Sequence, residues 1–277
     1  MNSGDSSYVD LTSDLHIDQW DNSIQNKYNC GIVKNYPFDW KKKVKSKILI
    51  IAGDISDDLD KSLSYLDEIS VYYDKILFVD GNHEHVNEYP NLYSLNEINE
   101  KIKVLNNNKL VYLPNNDYII NNTVFIGYCG WWNYRNENKT DIKKNMNYFK
   151  KWIPHFTEKE ILQFINSVIA RGKEEAKLLE EKINKYENDS NIDKIVIVTH
   201  SPPHTDNCHD SNLGTEHNTL FKDILMNENY YKISHWFSGH LHSKYDGLTN
   251  HIKLNNNPRG RPEDYDRTEY FIEQIKI

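Results

Sequence analysis

The chain has 277 residues, 41 acidic and 33 basic, and its formal charge of −8 disfavours a long duplex nucleic acid as partner. Hydrophobic residues make up 38% and aromatic residues 12%, which excludes disorder as the default state. The cysteines, Cys30, Cys129 and Cys208, are widely spaced and form no disulfide framework. The N-terminus is polar and every apolar run is too short to cross a bilayer. We therefore expect a soluble, cytoplasmic protein with no membrane partner.

Short apolar runs bounded by polar turns predict a series of β-strands. In chain order they are Tyr8–Thr12, Lys47–Ala52, Lys75–Val79, Leu110–Leu113, Thr123–Gly127, Lys194–Thr199, Ser234–Ser238, His251–Leu254 and Tyr270–Ile275. Strands and helices alternate early, and strands dominate later. This order predicts a layered α/β fold with mixed sheets.

Two helices are predicted between these strands. The first follows the second strand, and one of its faces carries Leu59, Leu63 and Leu66. The clearer helix covers Glu158–Tyr186, with Thr157 and Glu160 in the positions of a capping box. Gly172 interrupts this second pattern and predicts a hinge there.

Five of the predicted strands are followed at once by His, Asp or Asn, often next to Gly. The residues concerned are Asp14 and His16, Asp54, Asn82 and His83, His200, and His240 and His242. Ligands of α/β sheets bind at the carboxyl ends of strands, so these side chains meet at one edge if the strands are neighbours. All offer oxygen or nitrogen, which is typical of sites for Mn, Fe or Zn. The set is too large for one tetrahedral site and fits two ions that share a bridging carboxylate.

Each of these motifs occurs often by chance, and the order of all five at strand ends carries the signal. That order resembles the pattern of the calcineurin-like metallophosphoesterases: Asp-x-His, Gly-Asp, Gly-Asn-His-(Asp/Glu), His and Gly-His-x-His. The segments FIGYCGWWNY and NNPRG further resemble a bacterial or phage-type branch. Two departures concern the substrate pocket. Arg261 stands where that branch usually has an aromatic residue, and Ser201-Pro202-Pro203 after His200 is less typical.

The resemblance implies a metallo-dependent phosphatase-like fold, a four-layered αββα sandwich with two mixed β-sheets, as one domain over residues 1–277. It also implies two divalent metal ions (Mn, Fe or Zn). The first would be held by Asp14, His16, Asp54 and His242. The second would be held by Asp54, Asn82, His200 and His240. Asp54 would bridge the two ions.

The implied mechanism uses a hydroxide between the two ions as the nucleophile, with Asp54 and His83 as the catalytic residues. His83 would hold no metal and would assist the leaving group, with Asp80 or Glu84 orienting it or a metal-ligand histidine. We therefore expect a metal-dependent hydrolase of phosphomonoesters or phosphodiesters. Its substrate would be a small phosphorylated molecule such as a nucleotide, and the oligomeric state is left open.

Two other functions remain open from the sequence. One is a nuclease acting on short single-stranded nucleic acid, which the negative charge disfavours. The other is a non-catalytic scaffold of the same fold. Such non-catalytic relatives usually lack one of the metal ligands or the histidine of the third motif. In this chain every residue of the ligand pattern is present, and so is His83.

Several polar and aromatic residues near these motifs have two interpretations. The segment with His204, Asp206, Cys208 and His209 forms either a pocket wall or a further metal site. Trp131, Trp132 and Tyr134 either stack on a nucleotide or pack under a loop. Because successive side chains of a strand point to opposite faces, we expect that the two tryptophans do not both face inward.

Arg259 and His85 lie within or next to these motifs. Arg259 contacts either a phosphate or the acidic segment that follows it. His85 is expected to lie outside the chemistry, because the third motif ends at Glu84 and Asn87 occupies the position of a second zincin histidine.

Overall fold

The computed structural model describes residues 8–20, 38–204, 218–262, 264 and 270–277. Its strands are β1 (Tyr8–Thr12), β2 (Ile48–Ala52), β3 (Lys75–Val79), β4 (Leu110–Tyr112), β5 (Tyr118–Ile120), β6 (Thr123–Tyr128), β7 (Lys194–Thr199), β8 (Ile233–Ser238), β9 (Tyr245–Thr249), β10 (Ile252–Asn256) and β11 (Glu273–Lys276). Its α-helices are α1 (Trp40–Lys43), α2 (Leu59–Ile69), α3 (Leu95–Leu105), α4 (Lys139–Trp152), α5 (Glu158–Glu187) and α6 (Thr219–Leu225). Short 3₁₀ helices cover Ile17–Gln19, Ser70–Tyr72 and His83–Glu88, and Tyr134–Glu137 is a turn with positive φ at every residue.

The strands form two mixed sheets, as predicted. The first has five strands in the order β11-β1-β2-β3-β4, and the second has six in the order β5-β6-β7-β8-β10-β9. In both sheets the central strands are parallel, and antiparallel strands lie at the edges: β11 in the first, β5 and β9 in the second. The sequence patterns did not predict β5 and β9.

Both faces of the central strands are buried, which explains why these strands read as continuous apolar runs. In β2, Ile48 and Ile50 point into the core between the two sheets. Leu49 and Ile51 point to the opposite face, where helices α1 to α3 cover the first sheet. In β7 the same alternation sends Val196 and Val198 between the sheets, and Ile195 and Ile197 toward α5 and α6.

The order of layers is therefore helices, sheet, sheet, helices, which confirms the predicted four-layered αββα sandwich. A fourth apolar cluster joins α4 and the first half of α5 to the loop that follows β6. Each described helix is either too short or too polar to serve as a transmembrane span.

Helix α5 confirms the predicted capping box but not the predicted hinge. The side chain of Thr157 accepts from the Glu160 amide, and the Glu160 carboxylate accepts from the Thr157 amide. The helix then continues unbroken through Gly172 for 30 residues. A Cβ atom on Gly172 would lie 2.3 Å from the carbonyl oxygen of Trp131. The glycine therefore permits close approach of the Trp131 loop, and the prediction of a hinge is wrong.

We expect Gly172→Ala to destabilise the protein by about 1–3 kcal/mol, because the new methyl group overlaps a backbone carbonyl in a packed region. Helix propensity alone predicts the opposite sign, a gain of about 1 kcal/mol. Urea unfolding of wild type and variant measures the difference. Glu174→Ala, at an exposed position of the same helix, is the control and should change stability by less than about 0.5 kcal/mol. A Gly172→Ala protein as stable as wild type would contradict the packing argument.

Candidate metal centre

The polar residues predicted from the five motifs all lie at one edge of the sandwich. Strands β1, β2 and β3 of the first sheet and β7 and β8 of the second run parallel within their sheets and end there. The turns that follow them bring together Asp14, His16, Asp54, Asn82, His83, His200, His240 and His242. All but His240 and His242 are buried, and those two are partly exposed.

Four of these side chains form a first group, in which one ligand atom of each lies within 4.8 Å of the others: Asp14, His16, Asp54 and His242. The Nε2 atoms of His16 and His242 are 2.9 Å apart. The Nε2 atom of His242 is 3.4 Å from Oδ1 of Asp14. Two imidazole nitrogens that converge between buried carboxylates form a donor set suited to a divalent cation.

A second group shares Asp54 with the first and adds His200 and His240. The Nε2 atom of His200 is 3.2 Å from Oδ2 of Asp54. The amide oxygen of Asn82 lies 3.0 Å from Nε2 of His200 and 3.1 Å from Nδ1 of His240. Two adjacent groups thus share Asp54, and their oxygen and nitrogen atoms suit divalent ions. A third possible group, of His16, Asp57 and His83, adjoins them.

Outer contacts hold three of the histidines in place. His200 donates its Nδ1 hydrogen to the carbonyl oxygen of Ala52 at 2.8 Å, which leaves Nε2 for the site. The Nδ1 atom of His242 is 2.6 Å from Oδ2 of Asp264. The ring of His240 stacks on Trp132, with ring centres 5.3 Å apart. Contacts of this kind fix the orientation of metal-binding imidazoles in proteins.

The backbone of this region is strained. Five residues of the two groups have φ between 42° and 70°, a left-handed conformation that non-glycine residues seldom adopt: Asp14, His16, Asp54, His240 and His242. Such strain persists only where surrounding contacts fix it, and it is concentrated at functional sites.

Two glycines allow the turns after β2 and β3 to touch. Gly53 has a φ of +78°, and a Cβ atom there would lie 2.7 Å from Nδ1 of His200. A Cβ atom on Gly81 would lie 2.1 Å from Oδ1 of Asp54. The glycines of the second and third motifs are therefore required by close contact, and any larger residue would displace Asp54 or His200.

Glu84 holds these two turns together. Its carboxylate accepts hydrogen bonds from one hydroxyl and four backbone amides, those of Ser62, Gly81, Asp54, Ile55 and Ser56. Burial, with the nearby charge of Asp54, raises the pKa of this carboxyl. Asp80 instead accepts from Tyr112 and contacts His85. The prediction that Asp80 or Glu84 orients His83 or a metal-ligand histidine is therefore wrong.

Asp57 is the residue that orients His83, and the motifs did not identify it. Its Oδ1 atom is 2.5 Å from Nδ1 of His83, while Nε2 of His83 lies 3.8 Å from Oδ2 of Asp54. Burial alone would lower the pKa of His83, but Asp54 and Asp57 outweigh burial and raise it. On the other side of the ring, Nη2 of Arg261 is 2.9 Å from Nε2.

The charges of the two groups are strongly coupled to one another. Burial would raise the pKa of Asp54, but His200, His83 and His16 together hold it well below its usual value. Despite burial, the Asp54 carboxylate raises the pKa of His200 to about 10. Burial would lower the pKa of His242, but hydrogen bonds to Asp14 and Asp264 raise it to about 9. Burial and the neighbouring His83 hold the pKa of His16 well below its usual value, so this imidazole is neutral.

The aromatic residues after β6 pack inside the protein. Trp131, Trp132 and Tyr134 are all buried, in the cluster that joins α4 and α5. The prediction that both tryptophans cannot be buried is wrong, because Gly130, with φ of +80°, turns the chain out of the strand. Of this set, Trp132 contacts the site residues by stacking on His240.

The other candidate residues that the structure describes lie outside the two groups. Both ring nitrogens of His85 are engaged, with Asp80 and with the amide of Tyr93, away from the groups that could bind metal. Arg259 is buried with its guanidinium 4.2 Å from the ring centre of Trp20. His204 is buried. Asp206, Cys208, His209, Cys30 and most of the acidic segment 262–266 lie outside the described residues.

This combination of layered fold and strand-end ligands defines a metal-dependent phosphoric ester hydrolase. The chain belongs to the calcineurin-like phosphoesterase family, whose model matches residues 8–244. An uncharacterized protein of Acanthamoeba polyphaga mimivirus is 27% identical over 266 residues, which cover 90% of this chain and 89% of that relative. The bacterial or phage-type branch stays a prediction.

Two solved structures share the fold at low sequence identity. Phosphopantetheinyl hydrolase from Mycobacterium tuberculosis aligns with a TM-score of 0.68 at 16% identity, covering 96% of this chain and 95% of that one. A dimetal phosphatase from Danio rerio aligns with a TM-score of 0.57 at 11% identity, covering 98% and 92%. Both likenesses show the fold, and the family supports the use of divalent metals.

We expect metal binding to release protons and to strengthen as pH rises. In the metal-free protein the raised pKa values of His200 and His242 keep both imidazoles protonated near neutral pH, and a protonated imidazole cannot bind a metal. The apparent affinity for Mn²⁺ should therefore increase until the pH passes these pKa values. Calorimetry at several pH values, in buffers of different ionisation enthalpy, measures affinity and proton release together. An affinity that is flat with pH and releases no protons would contradict the charge arrangement.

Proposed function

We propose that this chain hydrolyses small phosphoesters at a centre of two divalent ions, Mn, Fe or Zn. The first ion would be bound by Asp14, His16, Asp54 and His242, and the second by Asp54, Asn82, His200 and His240. The observation that carries the proposal is the sharing of Asp54 by two adjacent groups of ligands. The Danio rerio structure with this fold is itself a dimetal phosphatase.

When bound, two such ions lower the pKa of a bound water and offset the charge on phosphoryl oxygens. The chain supplies the acid that completes hydrolysis. As the water oxygen, having lost one proton to solvent, bonds to phosphorus, the bond from phosphorus to the leaving oxygen breaks. That oxygen takes a proton from Nε2 of His83, which regains one from solvent afterwards. Asp57 at Nδ1 directs Nε2 toward the site, and the raised pKa of His83 favours the protonated form that the step requires.

The alternatives have less support. A nuclease would use exposed aromatic side chains to stack bases, but Trp131 and Trp132 are buried. A non-catalytic scaffold does not require the Asp57–His83 pair or the full set of ligands beside it. A nucleotide substrate, a cytoplasmic location and a single domain over residues 1–277 stay predictions.

The central test combines metal analysis with two substitutions. The purified protein is stripped with a chelator, reloaded with Mn²⁺, Fe²⁺ or Zn²⁺, and assayed on an aryl phosphomonoester and an aryl phosphodiester. We expect His83→Gln to keep the wild-type metal content and to lower kcat by roughly 10²–10⁴-fold, the usual contribution of a general acid. Asp54→Asn should lose both metal and activity, because it weakens both groups of ligands at once. Full activity in both variants would refute the proposal.

A second prediction concerns Asp57 as a positioning residue. Asp57→Asn removes a charge that raises the pKa of His83, so that pKa should fall. Because a general acid must be protonated, the alkaline limb of the pH profile of kcat should move to lower pH, and kcat should drop by roughly 10–100-fold. The control is Asp60→Asn, an exposed carboxylate nearby in sequence that pairs with Lys101, and it should leave the profile in place. An unchanged alkaline limb in Asp57→Asn would show that His83 does not act as the acid.

A further inference from the structure

Arg261 extends from the chain segment after β10 to the leaving-group face of His83. Its Nη2 atom is 2.9 Å from Nε2 of His83, and Nδ1 of His83 is already paired with Asp57. In this arrangement Nε2 accepts the guanidinium hydrogen. Arg261 therefore contacts the same nitrogen that is proposed to face the leaving oxygen.

Backbone contacts to the first motif fix the position of this segment. Ser13 and Pro258 form a parallel bridge, and the amide of Arg259 donates to the carbonyl oxygen of Ser13 at 2.9 Å. The amide of Gly260 donates to the carbonyl oxygen of Asp14, also at 2.9 Å. The amide of Arg261 donates to Oδ2 of Asp264 at 2.6 Å. Arg261 is thus held beside Asp14 by contacts that do not involve its own side chain.

The guanidinium has hydrogen-bonding capacity left over in this position. Its Nε atom is buried and finds no hydrogen-bond partner among the described residues. Nε and Nη2 lie on the same edge of the planar guanidinium, and a fork of this kind matches phosphate oxygens.

The number of terminal oxygens decides which phosphoester can use this fork. A phosphomonoester has three terminal oxygens and carries close to two negative charges at neutral pH. A phosphodiester has two terminal oxygens and a single negative charge. If two ions each bind one terminal oxygen, a monoester still offers a third to Arg261, whereas a diester presents an esterified oxygen there.

We propose that Arg261 is a substrate-binding residue that selects phosphomonoesters over phosphodiesters. The inference rests on the proposed phosphoesterase function and adds its substrate class. The residue lies outside both groups of metal ligands, so its removal should leave metal binding unchanged.

The test compares the Mn²⁺-loaded wild type with Arg261→Gln and Arg261→Lys on matched aryl substrates. For Arg261→Gln we expect kcat/KM on the monoester to fall roughly 10–100-fold, as for loss of a charged hydrogen bond, and on the diester to change by less than about threefold. Arg261→Lys should recover part of the loss, since it keeps the charge without the fork. Calorimetric titration with inorganic phosphate should show weaker binding by Arg261→Gln at unchanged metal content.

The control is Lys253→Gln, which removes one exposed positive charge from strand β10 and should leave both substrates and phosphate binding unaffected. Equal losses on monoester and diester, or phosphate binding as tight as in wild type, would overturn the inference while leaving the phosphoesterase function standing. A wild type that hydrolyses neither ester with any of the metals would overturn both.

Discussion

The buried carboxylate of Glu84 is the contact on which the geometry of the site depends. It gathers four backbone amides from the turns after β2 and β3, groups that would otherwise be buried without partners. Those turns carry Asp54, Asn82 and His83, so one side chain sets the spacing between the proposed shared ligand and the proposed acid. The contact uses only accepting oxygens. A glutamine in this position would direct an N–H group toward amide donors.

The site lies at the end of the hydrophobic core between the two sheets. Ala52, Val79 and Val198 are the last or nearly last apolar residues of their strands, and all three belong to the core between the sheets. Asp54, Asn82 and His200 follow within three residues. Because the central strands of each sheet are parallel, their carboxyl ends lie at one edge of that sheet. The two sheets pack face to face, which brings these two edges together. A polar, strained cluster is thus supported by two rigid sheets rather than by long loops.

Features that depend on local spacing could be predicted from the sequence. The bounds of β1, β3 and β7 match the apolar runs, and the Thr157–Glu160 capping box marks the start of α5. The same pattern at Ser94 and Glu97 caps α3, where a scan for capping boxes would have found it. The residues of the five strand-end motifs could be placed together because the carboxyl ends of parallel strands lie at the same edge of a sheet. The edge strand β5 has only three residues, and β9 has Asp246 and Gly247 in its interior, two residue types that strands disfavour.

Contacts between turns that are distant in sequence could not be predicted. The pairs Asp57–His83, Asp264–His242 and Arg261–His83 depend on the exact path of each turn rather than on spacing within a strand. The burial of both Trp131 and Trp132 follows from a left-handed glycine that ends strand alternation, and alternation was the basis for expecting one of them outside. The buried ring of Trp132 then orients His240 by stacking on it.

The segment from Pro258 to Asp264 lies beyond the part of the chain that the family model matches. The family model ends at residue 244, after the last motif histidine, so every proposed metal ligand lies inside the matched range. The later segment nevertheless contacts three of the site residues: Gly260 bonds Asp14, Arg261 bonds His83, and Asp264 bonds His242. Asp264 orients His242, and Arg261 places a positive charge beside His83. Under the proposed function, changes in this short segment therefore alter which phosphoester fits while the proposed metal ligands stay the same.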